Sequence, residues 1–362
     1  MSKSNKQCLL IGVFVLLVNM LSAQGFKSEE VIFQAKGDTI SFGATITSPK
    51  EKGSYPAVVL VSGTGPQNRD CEMAGQPLFA QIATYLSARG YVVLRMDDRG
   101  VGKTTGNYMM ATTADFAKDA LQAVDYLKNY PNVDTKRIGL LGHSEGGAAI
   151  SIAASQSKDV SFLVSLAGLA TSGLESLFLQ NESLVNNSPL TPVDRKRSNE
   201  INRLMFAVAY QYAESDSLEN RLNETFNYWK EKDNIYFATL GIEHDHFRFP
   251  IWSYVQQAIG PWYRYFVRYN AQMVLSHVDV PILAINGDKD LFVDPVNLDC
   301  WKNYSKSGQE GRVTTKLLPN VNHLMQACKT CDVREYSTLG AMPDSTLVAI
   351  IDWLDTTNGI TR

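Results

Sequence analysis

The sequence predicts an α/β fold in which a mostly parallel central sheet is flanked by helices, with a helical lid inserted between two parts of the core. Three observations predict it. Short, predominantly apolar runs such as 57–61 and 162–166 alternate with amphipathic stretches, the pattern of parallel strands buried on both faces. The alternation stops between about 171 and 275, where polar and aromatic helix-like segments carry no short Val/Ile-rich strand, and it resumes at 281–286. The composition, 44% apolar and 20% charged over 362 residues, is that of a folded globular chain and excludes a disordered or collagen-like one.

Taken in order, Lys3 and Lys6 precede an apolar run of 13 residues, 9–21, broken only by Asn19. Ser22-Ala23 then offers small residues for cleavage, which would leave Gln24 as the new N-terminus. Thirteen residues at about 1.5 Å each fall short of a hydrocarbon layer about 30 Å thick. Segment 1–23 is therefore expected to be a signal peptide rather than a stable membrane anchor, and the mature chain to be exported to the periplasm or beyond. Residues 30–47 alternate around Gly37-Asp38 and read as an antiparallel strand pair. Strand 57–61, helix 78–89, strand 91–95, helix 113–129, strand 137–141, helix 148–156 and strand 162–166 complete a first part of the core, 24–170. The insertion, 171–275, holds candidate helices at 201–212 and 222–232 and, at 261–269, five aromatic residues in nine positions. The second part of the core, 276–362, supplies strands 281–286 and 313–318 and a last helix, 345–354. A helical insertion in a βα series sits over the carboxyl ends of the strands, where such folds bind ligands, and would act as a lid.

Lys plus Arg is 34 against 37 for Asp plus Glu, a net charge of -3 with no basic stripe, so nucleic acid is not an expected partner. Removing the leader removes Cys8 and leaves Cys71, Cys300, Cys328 and Cys331, which permit two disulfides in three pairings. Cys328-Lys-Thr-Cys331 has redox-motif spacing, but it does not follow the early strand of a thioredoxin-like unit and has no second pair to complete a zinc site. A structural role is expected for it.

The strongest local signal is Gly142-His-Ser-Glu-Gly146, because it falls between a predicted strand and a predicted helix. A serine on so sharp a turn needs small residues two before and two after it, and its hydroxyl then sits at a helix N-terminus, where a developing anion is favoured. A serine hydroxyl also needs a base and the base an orienting acid. Asp290, in Asn286-Gly-Asp-Lys-Asp290, and His323, in Pro319-Asn-Val-Asn-His323, each follow a predicted strand. The order Ser144, Asp290, His323 would unite three strand ends at one rim. Ser62-Gly-Thr-Gly65 follows strand 57–61, so the backbone N–H groups of Thr64 and Glu145 are the expected oxyanion hole, with Gly65 the alternative to Thr64.

These segments, together with Arg95-Met-Asp-Asp-Arg-Gly-Val-Gly102, Pro261-Trp-Tyr-Arg-Tyr-Phe266 and Asn322-His-Leu-Met-Gln326, resemble the α/β-hydrolase superfamily over nearly all the mature chain. They look most like a subgroup of secreted bacterial esterase-like serine hydrolases. The resemblance implies a carboxylesterase-type enzyme with Ser144, Asp290 and His323 as its triad, a small-molecule ester as its partner, and neither metal nor organic cofactor. Trp262, Tyr263 and Phe266 are candidate pocket residues, although an aromatic stripe is as often lid packing. A serine peptidase on short peptides is the alternative activity, and a non-catalytic binding protein on the same scaffold the alternative class. Asp288 and Asp294 compete with Asp290, and the resemblance favours Asp290. His143 is expected to point away from the site, His244 and His246 to be surface residues, and His277 to be structural. Asp97, Asp98 and Arg99 are expected to brace loops, and Arg69 to pair with Asp70.

Overall fold

The computed structural model describes residues 25–37 and 39–361, so the expected leader and Asp38 of the predicted turn lie outside the described residues. Eight strands form the sheet: β1 (Phe26–Gln34), β2 (Ser41–Pro49), β3 (Tyr55–Val61), β4 (Val92–Met96), β5 (Val133–His143), β6 (Leu163–Leu166), β7 (Ile282–Gly287) and β8 (Val313–Leu318). Their spatial order is β1-β2-β4-β3-β5-β6-β7-β8. β1 and β2 are antiparallel to their neighbours, and every pairing from β4 onward is parallel. Parallel strands need crossovers, and helices supply them: α1 (Leu78–Ser87), α2 (Thr113–Lys128) and α3 (Glu145–Gln156) on the first part of the chain.

Local chemistry fixes these ends. The Thr112 hydroxyl accepts from Asp115 N, and the Asp115 carboxylate accepts from Thr112 N, a capping box that starts α2 within a residue of its predicted position. The Ala-rich face of α3 lets it lie close on the sheet, and residues 145–154 are all buried. β3 is buried from Pro56 to Val61, as expected of a strand covered on both faces.

After β6 the chain leaves the sheet through α4 (Gly173–Asn186), α5 (Pro192–Tyr212), α6 (Leu218–Ala238), α7 (Ile251–Ala258), α8 (Pro261–Val267) and α9 (Ala271–Leu275), then returns at β7. This helical body has an apolar cluster of its own, including Ile201, Met205, Phe206, Leu222, Trp229 and Tyr263. It also holds a buried ion network. Arg197, 1% exposed, donates to Asp233 at 2.6 and 2.7 Å and to Asp245 at 2.7 and 2.9 Å, tying α5, α6 and the following loop together. Breaking such a buried pair costs about 3–5 kcal/mol, because a charge is left without a partner. Helices α10 (Asn297–Tyr304) and α11 (Asp344–Asn358) close the fold. No helix among the described residues is long and apolar enough to cross a membrane.

Candidate active site

β5 ends at His143 and α3 begins at Glu145, so Ser144 alone makes the turn between them, with φ +56 and ψ -123. That left-handed backbone is costly for a residue with a Cβ, and close packing enforces it. A Cβ on Gly146 would lie 2.4 Å from the Val61 carbonyl oxygen, and one on Gly142 would lie 2.3 Å from that of Gly146. Ser144 N donates to Leu166 O at 3.1 Å, and Leu169 N donates to Ser144 O at 3.0 Å, which locks the turn to the end of β6.

Asp290 and His323 come from the loops after β7 and β8. His323 Nδ1 lies 2.9 Å from Asp290 Oδ2, and both residues are 6% exposed. The other carboxylate oxygen of Asp290 accepts from Phe292 N at 2.8 Å and Val293 N at 2.9 Å, so both oxygens are fixed. With its Nδ1 proton held by Asp290, the imidazole presents Nε2 as a base. The competing acids have other roles: Asp288 accepts from Asn320 N and Asp294 from Val296 N. His323 rides on a short hairpin in which Val321 bridges Ala327 and the Asn322 side chain accepts from Leu324 N and Gln326 N. Phe292 stacks on its ring at 5.0 Å. Among the described residues no hydrogen bond joins Ser144 to His323; the two line the same cavity, and such catalytic contacts tighten around substrate.

The loop after β3 passes directly in front of the serine. A Cβ on Gly63 would be 2.8 Å from Ser144 Cβ, so only glycine lets this backbone approach. Gly65 N donates to the Tyr108 hydroxyl at 2.7 Å, so of the two expected loop donors it is Gly65 that is already engaged. The Ser62 hydroxyl and Gln67 N both donate to Asp98, at 2.7 and 2.8 Å. Burial pushes the Asp98 carboxyl up to about 7, against the opposing pull of those two donors.

Glu145 does more than offer a backbone N–H. Its side chain, 1% exposed, accepts from the hydroxyls of Thr64 at 2.7 Å and Thr113 at 2.6 Å and from the Trp262 indole N–H at 2.8 Å. One carboxylate thus ties the loop after β3, the start of α2 and helix α8 of the insertion to the turn at Ser144. Burial raises its proton affinity, and the three donors oppose that rise.

The cavity above Ser144 has a volume of about 580 Å³ and lies between the strand ends and the helical insertion. Ser144, His323 and Thr64 line it, as do Trp262, Tyr263 and Phe266, with Trp262 stacked on Phe266 at 5.0 Å. Among the described residues the lining includes no Asp, Glu, Lys or Arg. Sequence reading missed Phe292, Tyr336 and the carboxamides of α4, which have no motif around them.

The remaining candidates are outside the chemistry. His143 is buried beside His323, its Nε2 2.9 Å from the His323 carbonyl and the two rings 4.8 Å apart, and burial holds it neutral with its pKa lowered to about 3. His244 and His246 are exposed, and no metal-binding cluster occurs among the described residues. His277 is exposed, on a turn rather than in the core. Arg69 and Asp70 do not pair with each other: Arg69 forks onto Asp97, just past the end of β4, and Asp70 takes Arg95 within it, because each finds an opposite charge at that strand end. Arg99 forks onto Asp119. Cys328 is bonded to Cys331, while Cys71 and Cys300 are buried free thiols, so one disulfide forms where the cysteine count permits two.

Among known proteins, Esterase EstD of Thermotoga maritima is 35% identical over 127 residues, which is 35% of this chain. The match spans 30% of that relative's length. Among solved structures, the α/β hydrolase GrgF from Penicillium sp. sh18 superposes with a TM-score of 0.55 at 18% identity, over 91% of this chain and 99% of that one. The Pyrococcus furiosus esterase Pf2001 superposes with a TM-score of 0.54 at 17% identity, over 92% and 93%. These likenesses establish the fold as that of the α/β-hydrolases. The sequence model of the X-Pro dipeptidyl-peptidase (S15) family matches residues 38–324, a span that includes Ser144, Asp290 and His323. The chain therefore belongs to the X-Pro dipeptidyl-peptidase (S15) family and has the α/β-hydrolase fold.

Proposed function

We propose that this protein is a serine hydrolase that cleaves carboxylic esters through an acyl-enzyme on Ser144. The observation that carries this reading is the opening of a strained nucleophile turn and a bonded Asp290–His323 pair onto one cavity. His323 Nε2 takes the Ser144 proton as the oxygen attacks the ester carbonyl. The carbonyl oxygen turns anionic between the N–H groups of Glu145 and Thr64, where each donor contributes about 3 kcal/mol to lowering the barrier. His323 then protonates the leaving alcohol, and water repeats the sequence to release the acid.

The family match favours a second reading, a serine peptidase on short peptides. Removing a dipeptide from an N-terminus is favoured by an opposite charge for the substrate's ammonium group, and no carboxylate lines the cavity among the described residues. The ester reading is therefore preferred. The Cys328–Cys331 disulfide supports placing the mature chain in an oxidising, exported location.

The test is turnover of a panel of p-nitrophenyl esters beside aminoacyl and X-Pro arylamides, with Ser144→Ala as control. Faster ester cleavage, lost in the variant, is the expected result. Preferential cleavage of the amides overturns it in favour of the peptidase.

A further inference from the structure

We propose that the acyl side of this cavity is built for an uncharged group bearing a hydroxyl or amide at its far end, received by Gln180 and Asn181. The proposal deepens the esterase reading of the same site and rests on it.

Helix α4 sets the distance. It starts beside the nucleophile, because Leu169 N is bonded to Ser144 O and the Thr171 hydroxyl, two residues on, is 2.7 Å from that of Ser176 in the first turn of α4. Ser176, Leu177, Gln180, Asn181 and Leu184 all line the cavity, so one stripe of the helix faces it from the serine outward. At about 1.5 Å per residue, Gln180 and Asn181 lie roughly 6–8 Å farther along the helix than Ser176. The same cavity carries the apolar side chains of Leu169, Leu177, Leu184, Phe206 and Phe266 beside the neutral polar ones of Asn202 and Gln257.

The carboxamides have capacity to spare. The Gln180 side chain, half-buried, has no hydrogen-bond partner among the described residues. Asn181 makes one long bond, donating to Asn199 Oδ1 at 3.4 Å, and its carbonyl oxygen accepts none. A half-buried amide in a cavity lined without an Asp, Glu, Lys or Arg among the described residues gains most from a neutral ligand group that can both donate and accept.

Charge is excluded by the same wall. No acidic or basic side chain lines the cavity apart from His143 and His323, and burial keeps His143 neutral. An ammonium or carboxylate carried to the depth of Gln180 would leave water without meeting an opposite charge. That cost separates this chain's substrate from a free N-terminal dipeptide, the kind of group that the family description names.

The experiment compares kcat/KM for three esters of one length: p-nitrophenyl hexanoate, its 6-hydroxy analogue and its 6-ammonio analogue. The hydroxy ester is expected to exceed the plain one by about tenfold, the worth of one well-placed hydrogen bond. The ammonio ester is expected to fall on the order of 100-fold below the hydroxy ester. In Gln180→Leu/Asn181→Leu the ratio of hydroxy to plain ester should collapse toward one. A Gln180→Glu variant, which keeps the side chain's size, should raise the ratio of ammonio to hydroxy ester at least about tenfold. These are ratios within one protein sample, so partial loss of folded enzyme does not alter them. A wild-type hydroxy ratio near one, an unchanged ratio in the double variant, an ammonio ester cleaved as fast as the hydroxy ester, or no gain in Gln180→Glu each overturns the proposal while leaving the esterase reading intact. Absence of turnover on all three esters overturns that reading, and the proposal with it.

Discussion

Replacing Asp290 by Asn separates the orienting role of this carboxylate from its part in the fold. Its Oδ1 accepts from Phe292 N and Val293 N, and an asparagine carbonyl in the same place keeps both bonds. Its Oδ2 faces His323 Nδ1 at 2.9 Å, where the asparagine would put an N–H₂ group. Two donors cannot share that contact, so the imidazole must carry its proton on Nε2 and accept at Nδ1. In that tautomer it has no lone pair for the Ser144 proton. Loss of the correct tautomer in a serine triad lowers kcat by about 10⁴-fold, or ~5.5 kcal/mol in the barrier. Because the loop keeps its hydrogen bonds, unfolding free energy should change by less than about 1.5 kcal/mol, the worth of one net hydrogen bond. The assay pairs steady-state hydrolysis of a p-nitrophenyl ester with urea unfolding of the same preparation. A variant that stays folded and keeps kcat within tenfold of wild type would refute the assignment of Asp290. Loss of kcat matched by loss of folded protein would refute the separation of the two roles.

Outcomes at three further residues follow from the same geometry. Glu145→Ala leaves the Thr113 hydroxyl and the Trp262 indole N–H without acceptors and should cost about 2–6 kcal/mol in urea unfolding. Glu145→Gln keeps one oxygen for both donors while the Thr64 hydroxyl turns to accept, so it should stay within about 1–2 kcal/mol of wild type. Gly63→Ala puts a methyl carbon 2.8 Å from Ser144 Cβ and 3.1 Å from the His143 carbonyl oxygen, and kcat should fall at least ~10-fold as the oxyanion loop backs away, with an unchanged far-ultraviolet circular dichroism spectrum. Asp98 titrates near 7 in the folded chain but near an ordinary aspartate value of about 4 when unfolded, so the folded state holds a proton that the unfolded chain has released. Stability should therefore fall as pH rises from about 4 to 7, and Asp98→Asn should remove that part of the slope. Thermal melts of both proteins at pH 5 and pH 8 check it, and equal slopes would count against the raised value.

Much of this was legible in the sequence for a physical reason. Strands such as β3 and β7 are buried on both faces and read as unbroken apolar runs. Ser144 and Asp290 each follow such a run, whereas His323 follows β8, which is exposed from Thr314 to Leu317 and is legible only by its place in the order; the fold's own order links residues 146 and 33 positions apart. Helix α4 was not foreseen, because only Gly173 and Ser176 in it are buried and the face it turns to the cavity mixes leucine with amide. The Glu145 network was equally invisible: its partner Trp262 is 117 residues away, and nothing local marks a glutamate after a serine as a buried acceptor for a lid. The Arg69 and Asp70 partners were missed because both stand at the end of β4, 28 and 25 residues away along the chain, where only the folded sheet brings the opposite charges together.

The central claim is that the hydroxyl of Ser144 is the activated nucleophile and His323 its base. The direct measurement is reaction with a fluorophosphonate, followed by mass spectrometry of the peptides. The account predicts one adduct, on the peptide carrying Ser144, absent in Ser144→Ala and formed far more slowly in His323→Ala. An adduct on another residue, or one that forms at the wild-type rate without His323, would contradict it.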